Sequence, residues 1–508
     1  MPEHYKAFVV IALIAIVVTH LAQPALADII PGNRLKRWRN IWLGITTIAF
    51  LLPTFWLFII AAILFLNLYA KRQETDPITL YLLLICVIPP LGQDIPGFGI
   101  INYFFTLNYV RLLSLVILLP AFITLLHKHD TLRPSATLPD KLLLSFLLLT
   151  IGLQLRDTTI TDTLRQAFYA FVDVFLPYFV ISRSLRTLQQ FRSTITALLF
   201  SASISAVIGG FEYLKHWLLY VTMSANWQII ERFAYLDRGY SLRATASYGG
   251  GPIAFGYGMA IAIGLYFYCS DFIHIHSARR NALLILLMGL FASLSRGPWV
   301  GAACMFLVFL ATGQHATQRM VRWGMLSVLA LFLLPFIPGG EKLINLLPFI
   351  GHVDTGTIDY RQQLFHNGFI VIQRNLLFGS VNVLKTPEML SMRQGQGIID
   401  LVNSYLEIAL FYGMVGLSLF SMFFITLLLR INRARRHFAN MSESAILGRS
   451  LLATLSGILV IIATVSSVGI IPTLYWIIGG IGMAYILLQP DTGTNSSTKK
   501  PLIYSVIE

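Results

Sequence analysis

The sequence predicts an all-α fold: a polytopic helical membrane protein of about 12–15 spans. Three observations predict it. Of 508 residues, 56% are hydrophobic and only 12% charged, roughly half the charge of an ordinary soluble domain. Apolar runs long enough to serve as spans recur from one end of the chain to the other. The 37 lysines and arginines behind the +14 net charge gather in short connections between those runs, as the positive-inside rule expects. No stretch has the composition of a separate soluble domain. Residues 1–489 therefore read as one transmembrane domain that includes a polar loop at 339–403. Residues 490–508 read as a cytoplasmic tail rich in Ser and Thr, too polar to order itself.

Taken in order, spans are expected near 7–27, 41–53, 54–70, 77–91, 109–127, 140–155, 164–182, 193–220, 252–270, 282–295, 298–313, 320–338, 404–430, 446–468 and 470–489. The run 41–70 is long enough for one tilted helix. Its flanking basic clusters, Arg34–Arg39 and Lys71-Arg72, both prefer the cytoplasm, which favours a hairpin turning at Pro53. Ala25-Leu-Ala27 resembles a signal-peptidase site, but cleavage there would strand the Arg34–Arg39 cluster outside, so an uncleaved first helix is favoured. Several spans are short for about 30 Å of hydrocarbon, so tilt or re-entrance is expected. The basic loops 128–141, 183–192, 271–281, 314–322 and 430–449 fall inside. Loops 92–108, 156–163, 221–251 and 339–403 fall outside.

Several function classes lack support. The basic charge is dispersed among loops, which speaks for topology and anionic lipid headgroups and against nucleic acid. Cys86, Cys269 and Cys304 all sit in apolar segments, as small core residues do. There is no HExxH, no CxxC pair, no Walker loop and no GxSxG. The histidines show no ligand spacing, so no metal and no cofactor are expected.

The polar loop is where chemistry is expected, because loops carry function and helices hold them still. It holds Lys342, Arg361, Arg374, Lys385 and Arg393 with Glu341, Asp354, Asp359, Glu388 and Asp400, besides His352 and His366. Loop 221–251 adds Arg232, Arg238 and Arg243. Positive charge kept outside against the topological preference suits an anionic ligand, and the planar arginine fork suits phosphate oxygens. Arg296, in Ser293-Leu-Ser-Arg-Gly-Pro-Trp299, lies between two apolar runs. It is either an interfacial arginine snorkelling to headgroups or a phosphate clamp. Asp173 and Glu212 are embedded acids that either pair structurally or carry protons. Asn403 is either a helix N-cap or a sugar ligand.

Four motifs carry a resemblance. Ser295-Arg296-Gly297-Pro298-Trp299 is similar to the Ser-Arg-Gly motif of the bacterial O-antigen ligase and polymerase family. Arg243–Pro252 resembles the segment before it. Arg361-Gln-Gln-Leu-Phe with Arg374-Asn-Leu-Leu-Phe-Gly379 resembles the external-loop helix and its following turn. Asn403-Ser-Tyr405-Leu-Glu407 with Gly413-Met-Val-Gly416 resembles the motif that re-enters the membrane. Together they cover about 240–420, in the family order.

The resemblance implies a membrane-embedded glycosyltransferase of the bacterial inner membrane, with its active site on the periplasmic or outer side. Its substrates would be glycans on a polyprenyl diphosphate. Arg296 and Arg361 would face the diphosphate, with Arg243, Asn403 and Tyr405 also binding substrate. Family ligases place His-Asn before the Tyr-Leu of the last motif, whereas here Val402 precedes Asn403. The general base must come from elsewhere, with Asp400 first, then Glu407 and His366, and His352 as a further candidate. This departure favours a polymerase that joins lipid-linked repeat units into exopolysaccharide, capsule or O-antigen. The alternatives are a ligase acting on a lipid or protein acceptor, and a polysaccharide flippase or transporter. The implied partners are the lipid-linked glycan, the growing polysaccharide and membrane lipids, with a chain-length regulator and a flippase as protein candidates. The loop is expected to close over the glycans, with Trp227, Tyr235, Tyr240, Tyr248 and Tyr360 as stacking surfaces.

Overall fold

The computed structural model describes residues 1–99, 101–127, 137–229, 236–238, 241–249, 251–336, 355–394, 397–439 and 442–488. Glu341, Lys342, His352, Asp354, Arg232, Tyr235, Tyr240 and the tail from Asp491 lie outside them.

The chain is a helical membrane protein, with ten helices among the described residues long and apolar enough to cross a bilayer. The order runs α1 (Glu3–Leu26), α2 (Gly32–Leu51), α3 (Phe55–Gln73), α4 (Pro77–Leu84), α5 (Tyr109–His127), α6 (Leu138–Asp157), α7 (Ile160–Ser184), α8 (Leu188–Lys215) and α9 (Leu219–Asn226). It continues with α10 (Pro252–Phe272), α11 (His276–Ala292), α12 (Arg296–Ala311), α13 (Ala316–Phe336), α14 (Thr355–Arg374), α15 (Ser404–Arg435), α16 (Glu443–Ile462) and α17 (Ile471–Ile486). An antiparallel hairpin, β1 (Gly92–Pro96) with β2 (Tyr103–Asn108), caps the connection before α5, and a second short antiparallel pair joins Asp237–Arg238 to Ser241–Leu242.

The hairpin at Pro53 is present. Leu52 leaves the helix in an extended conformation, and the Thr54 hydroxyl accepts the Leu57 amide at 3.4 Å to start α3. Proline has no amide to continue a helix and disfavours helical geometry in the residue before it. Helix α2 begins earlier than its apolar run, because Arg34–Arg39 continue the helix beyond it. Arg34 and the Trp38 indole both bond Glu74, each at 2.8 Å. The two basic clusters therefore meet on one side, as their charge requires.

Other ion pairs mark the same end of the bundle. Arg183 reaches Asp140 at 2.7 Å and Arg192 reaches Glu443 at 2.6 Å. At the opposite end, Asn226 and Trp227 donate to the Leu52 carbonyl at 3.2 and 3.0 Å, and Arg156 donates to the Gly379 carbonyl at 2.9 Å. Loops read from charge as lying on one side thus touch one another. Of the embedded acids, Asp173 pairs with Arg111 at 2.8 Å. Glu212 accepts three backbone amides, from Leu219, Thr245 and Ala246, at 2.8–3.0 Å.

Helices α8, α10 and α16 are almost enclosed, whereas α13 stands at the periphery with its apolar side chains outward. Helices α12 and α16 pack closest. A Cβ on Gly301 would lie 2.1 Å from Ile461, and one on Gly457 would lie 2.7 Å from the Gly301 carbonyl. Small residues at this crossing let two backbones touch, which is how helices associate where lipid removes the hydrophobic drive. The crossing sets the start of α12 beside the end of α16, and the candidate site is built there.

Candidate functional site

Helix α16 ends at Ile462, and the turn Thr464-Val-Ser-Ser467 leads on to α17. This turn gathers the candidate residues. The Gly297 backbone lies against it, since a Cβ there would sit 2.5 Å from Thr464 Oγ1. Arg296, half-buried, is the preceding residue and the first of α12. From the other side Arg361, on α14, donates from Nη2 to the Thr464 carbonyl at 3.4 Å. Arg361 and the residue following Arg296, from distant parts of the chain, thus both adjoin Thr464.

The segment returning to the membrane closes the site. Asp400 Oδ1 accepts from the Ser466 hydroxyl and from the Val402 amide, the latter at 3.2 Å. Val402 N also donates to Ser466 Oγ at 2.9 Å. Ser404 Oγ donates to the Val465 carbonyl at 3.0 Å, and Glu407 Oε2 accepts the Ser467 amide at 3.2 Å. The Tyr360 hydroxyl donates to the Asp400 carbonyl at 2.9 Å. Enclosure by neighbouring atoms lowers the pKa of Arg361 from the ordinary arginine value, and the Asp400 carboxylate acts against that. The arginine stays charged, because its reference value is so high.

Val402 carries strain. Its φ is +39°, a left-handed conformation that β-branched residues avoid. Next to it Asn403 caps α15, its Oδ1 accepting the Tyr405 and Leu406 amides at 2.9 and 3.1 Å. The Tyr405 hydroxyl donates to the Leu459 carbonyl at 3.0 Å. Both therefore hold the turn into α15. His366 lies exposed on α14.

Arg243 points into the protein. It donates to the Ser293 carbonyl at 3.2 Å and to Ser295 Oγ at 2.8 Å, while Ala244 N reaches the Ala292 carbonyl at 3.0 Å. With Glu212 holding the amides of Thr245 and Ala246, this strap fixes the turn that delivers Arg296. Trp227 and Tyr248 are not stacking surfaces. Trp227 is buried against Phe58 with its indole N–H on Leu52, and Tyr248 is in the core. Sequence reading placed them by loop position, but aromatic rings at helix ends bury readily.

Helix α15 is broken at Gly413, which has φ +65° and ψ −170°. The turn after α14 fills the break. Met414 N and Val415 N donate to the Leu376 and Leu377 carbonyls at 2.8 and 3.1 Å, and Ser380 N donates to the Leu410 carbonyl at 3.1 Å. Gly379 (φ +59°) would clash through a Cβ with the Leu410 carbonyl at 2.5 Å, and Gly413 with that of Leu377 at 2.3 Å. Only glycine fits either place. Asp157 holds the Val381 amide at 3.1 Å.

The residues that sequence reading missed are Thr464, Ser466 and Ser467, together with Arg156 and Asp157. The signal for the first group was a Thr-Val-Ser-Ser-Val-Gly run between two apolar stretches.

Among the described residues no group of His, Cys, Asp and Glu is placed to hold a metal ion. The arrangement instead offers cations, hydroxyls and two carboxylates around one turn, suited to an anionic leaving group and a proton acceptor.

A comparison with protein families matches residues 282–421 to the family described as O-antigen ligase. This supports membership of the O-antigen ligase/polymerase family, whose members are glycosyltransferase-like ligases and polymerases acting on lipid-linked glycans. The matched segment contains Arg296, Arg361, Asp400 and Glu407, whereas Arg243 and the Thr464–Ser467 turn lie outside it. No curated protein matches the chain. A flippase has no support from these findings.

Proposed function

We propose that the protein polymerises polyprenyl-diphosphate-linked repeat units at the outer leaflet of the bacterial inner membrane. The observation that carries this reading is the convergence of Arg361, Asp400 and the Arg296 end of α12 on Thr464–Ser466. In the proposed reaction an acceptor hydroxyl attacks the anomeric carbon of the donor's first sugar. The bond from that carbon to the diphosphate oxygen breaks, and polyprenyl diphosphate departs with the electron pair. Arg296 and Arg361 neutralise charge on the leaving group, the kind of stabilisation whose loss costs about 10²–10³ in rate. Asp400 takes the hydroxyl proton. Its Oδ1 is engaged by Ser466 and Val402, which leaves Oδ2 for the acceptor. Attack opposite the leaving group inverts the anomeric centre. No cofactor enters this scheme.

Support for polymerase over ligase comes from Val402, which replaces the histidine of family ligases. The family match is equally consistent with the ligase reading, in which a finished glycan moves to a lipid or protein acceptor. Two experiments separate these. Arg361→Ala or Arg296→Ala is expected to stop chain growth while lipid-linked repeat units still reach the outer leaflet. Long polymer persisting in both variants would sink the site assignment. In a deletion strain, single repeat units on the acceptor mean polymerase, and free lipid-linked long chains mean ligase.

A further inference from the structure

The end of the bundle opposite the candidate site holds a cavity of about 530 Å³. It lies between the last turns of α1, the first half of α8, the end of α10 and the start of α11, and is lined by residues such as Leu21, Leu199, Phe200, Ile273 and Ala282. Its walls are almost entirely apolar. The polar side chains at it are few: Thr196 and Ser203 bond to helix carbonyls behind them, at 2.7 and 2.8 Å, while Tyr266, Ser277 and Asn281 lie toward the α10–α11 side. An apolar volume in the range of roughly 300–1,000 Å³ suits a small ligand or one lipid chain.

The mouth has the opposite character. Arg279 and Arg280 stand exposed in the first turns of α11, beside the cavity-lining Ser277, Ala278 and Asn281. Arg279 is fastened from two directions. Its carbonyl accepts the hydroxyl of the lining Tyr266 at 2.5 Å, and its Nη2 donates to Ser270 Oγ at 3.2 Å, with Asp271 at 3.6 Å. Among the described residues Arg280 has no ion-pair partner. Basic side chains in a helix's first turns oppose the helix dipole, and an anion at that place relieves both. The positive-inside preference accounts for basic residues in this loop. It does not account for a chain-sized apolar chamber directly behind them.

We infer that this chamber is a binding site for an anionic phospholipid of the inner leaflet, with one acyl chain between α1, α8 and α11 and the phosphate at Arg279 and Arg280. Basic pockets between helices on the cytoplasmic side have this chemistry. The site is at the far end from the proposed glycan chemistry and does not depend on it.

The test uses the full-length protein purified in detergent and probed with phosphatidylglycerol, phosphatidylcholine or inorganic phosphate. Native mass spectrometry reads bound lipid, and thermal unfolding reads stabilisation. Phosphatidylglycerol is expected to bind and to raise the Tm, phosphatidylcholine to bind about tenfold more weakly, and inorganic phosphate to do neither at matched concentration. Ala282→Trp, which fills the chamber, is expected to abolish retention. Because that variant can perturb packing, Arg280→Glu tests the same site from an exposed position and is expected to cut phosphatidylglycerol binding about tenfold while leaving the lipid-free Tm unchanged. Equal binding of the two lipids, or phosphatidylglycerol binding that is unchanged in Arg280→Glu, would overturn the inference. So would stabilisation by inorganic phosphate equal to that by the lipid.

Discussion

Val402 shows how a single residue can be costly and informative at once. A left-handed conformation costs a non-glycine residue about 1–2 kcal/mol, more for a β-branched one, and Val402 holds it because its amide is shared by Asp400 and Ser466. Histidine tolerates positive φ far better, so the side chain that family ligases carry here would relieve strain as well as add an imidazole. Val402→Asn is therefore expected to stabilise the folded protein by about 1 kcal/mol, read as a raised unfolding temperature in detergent. A drop of similar size would mean that the Val402 conformation is unstrained. Ser466→Ala removes the hydroxyl that both orients Asp400 and receives the Val402 amide. Under the proposed function, loss of such an oriented contact is expected to lower the rate of chain growth about 10-fold or more, with Ser466→Thr recovering much of it. Asn403 and Arg361 were legible as residues, the first through its capping chemistry and the second through charge on the wrong side. Ser466 was not, because serine in an apolar run looks like an ordinary small membrane residue.

At the scale of elements, two glycine pairs decide where things stand. Gly301 and Gly457 let α12 and α16 touch, and their contact sets the Arg296 end against Thr464. Gly301→Leu is expected to cost about 1–3 kcal/mol through overpacking and to lower activity more than Arg296→Lys does, because it displaces the whole helix start. An activity equal to wild type would separate the crossing from the site. Gly379 and Gly413 interlock two loops by backbone contact. Either one changed to alanine is expected to lower the unfolding temperature markedly, since the collision is with carbonyl groups that cannot step aside. The helices themselves were readable from hydropathy, including the turn at Pro53. Their ends were not. Charged residues such as Arg34–Arg39 extend helices past the hydrocarbon and leave no mark in an apolar run. The turn at 464–467 was absorbed into the expected span 446–468 for the same reason, and the break at Gly413 was hidden because apolar residues flank it on both sides.

For the whole molecule, contacts between loops divide the bundle into a basic end and a site end. The proposal that the site end faces the periplasm is testable by labelling. With Cys86, Cys269 and Cys304 replaced, Arg393→Cys is expected to react with an impermeant maleimide in whole cells, and His315→Cys only after permeabilisation. The reverse pattern would invert the orientation. Which loops share an end was legible because basic residues gather on one side of a membrane protein, whereas the assembly of the site was not, since it needs residues 243, 296, 361, 400 and 466 brought together from four connections. The interlock at Gly413 bears on which parts of the loop are free to move. Lifting 376–380 away would strand the amides of Met414 and Val415 without partners near hydrocarbon, at several kcal/mol each. That stretch is a mooring, and because Asn367 and Arg374 of α14 both bond Glu388 beyond it, at 3.2 and 3.1 Å, the helix and the following segment are anchored as one unit.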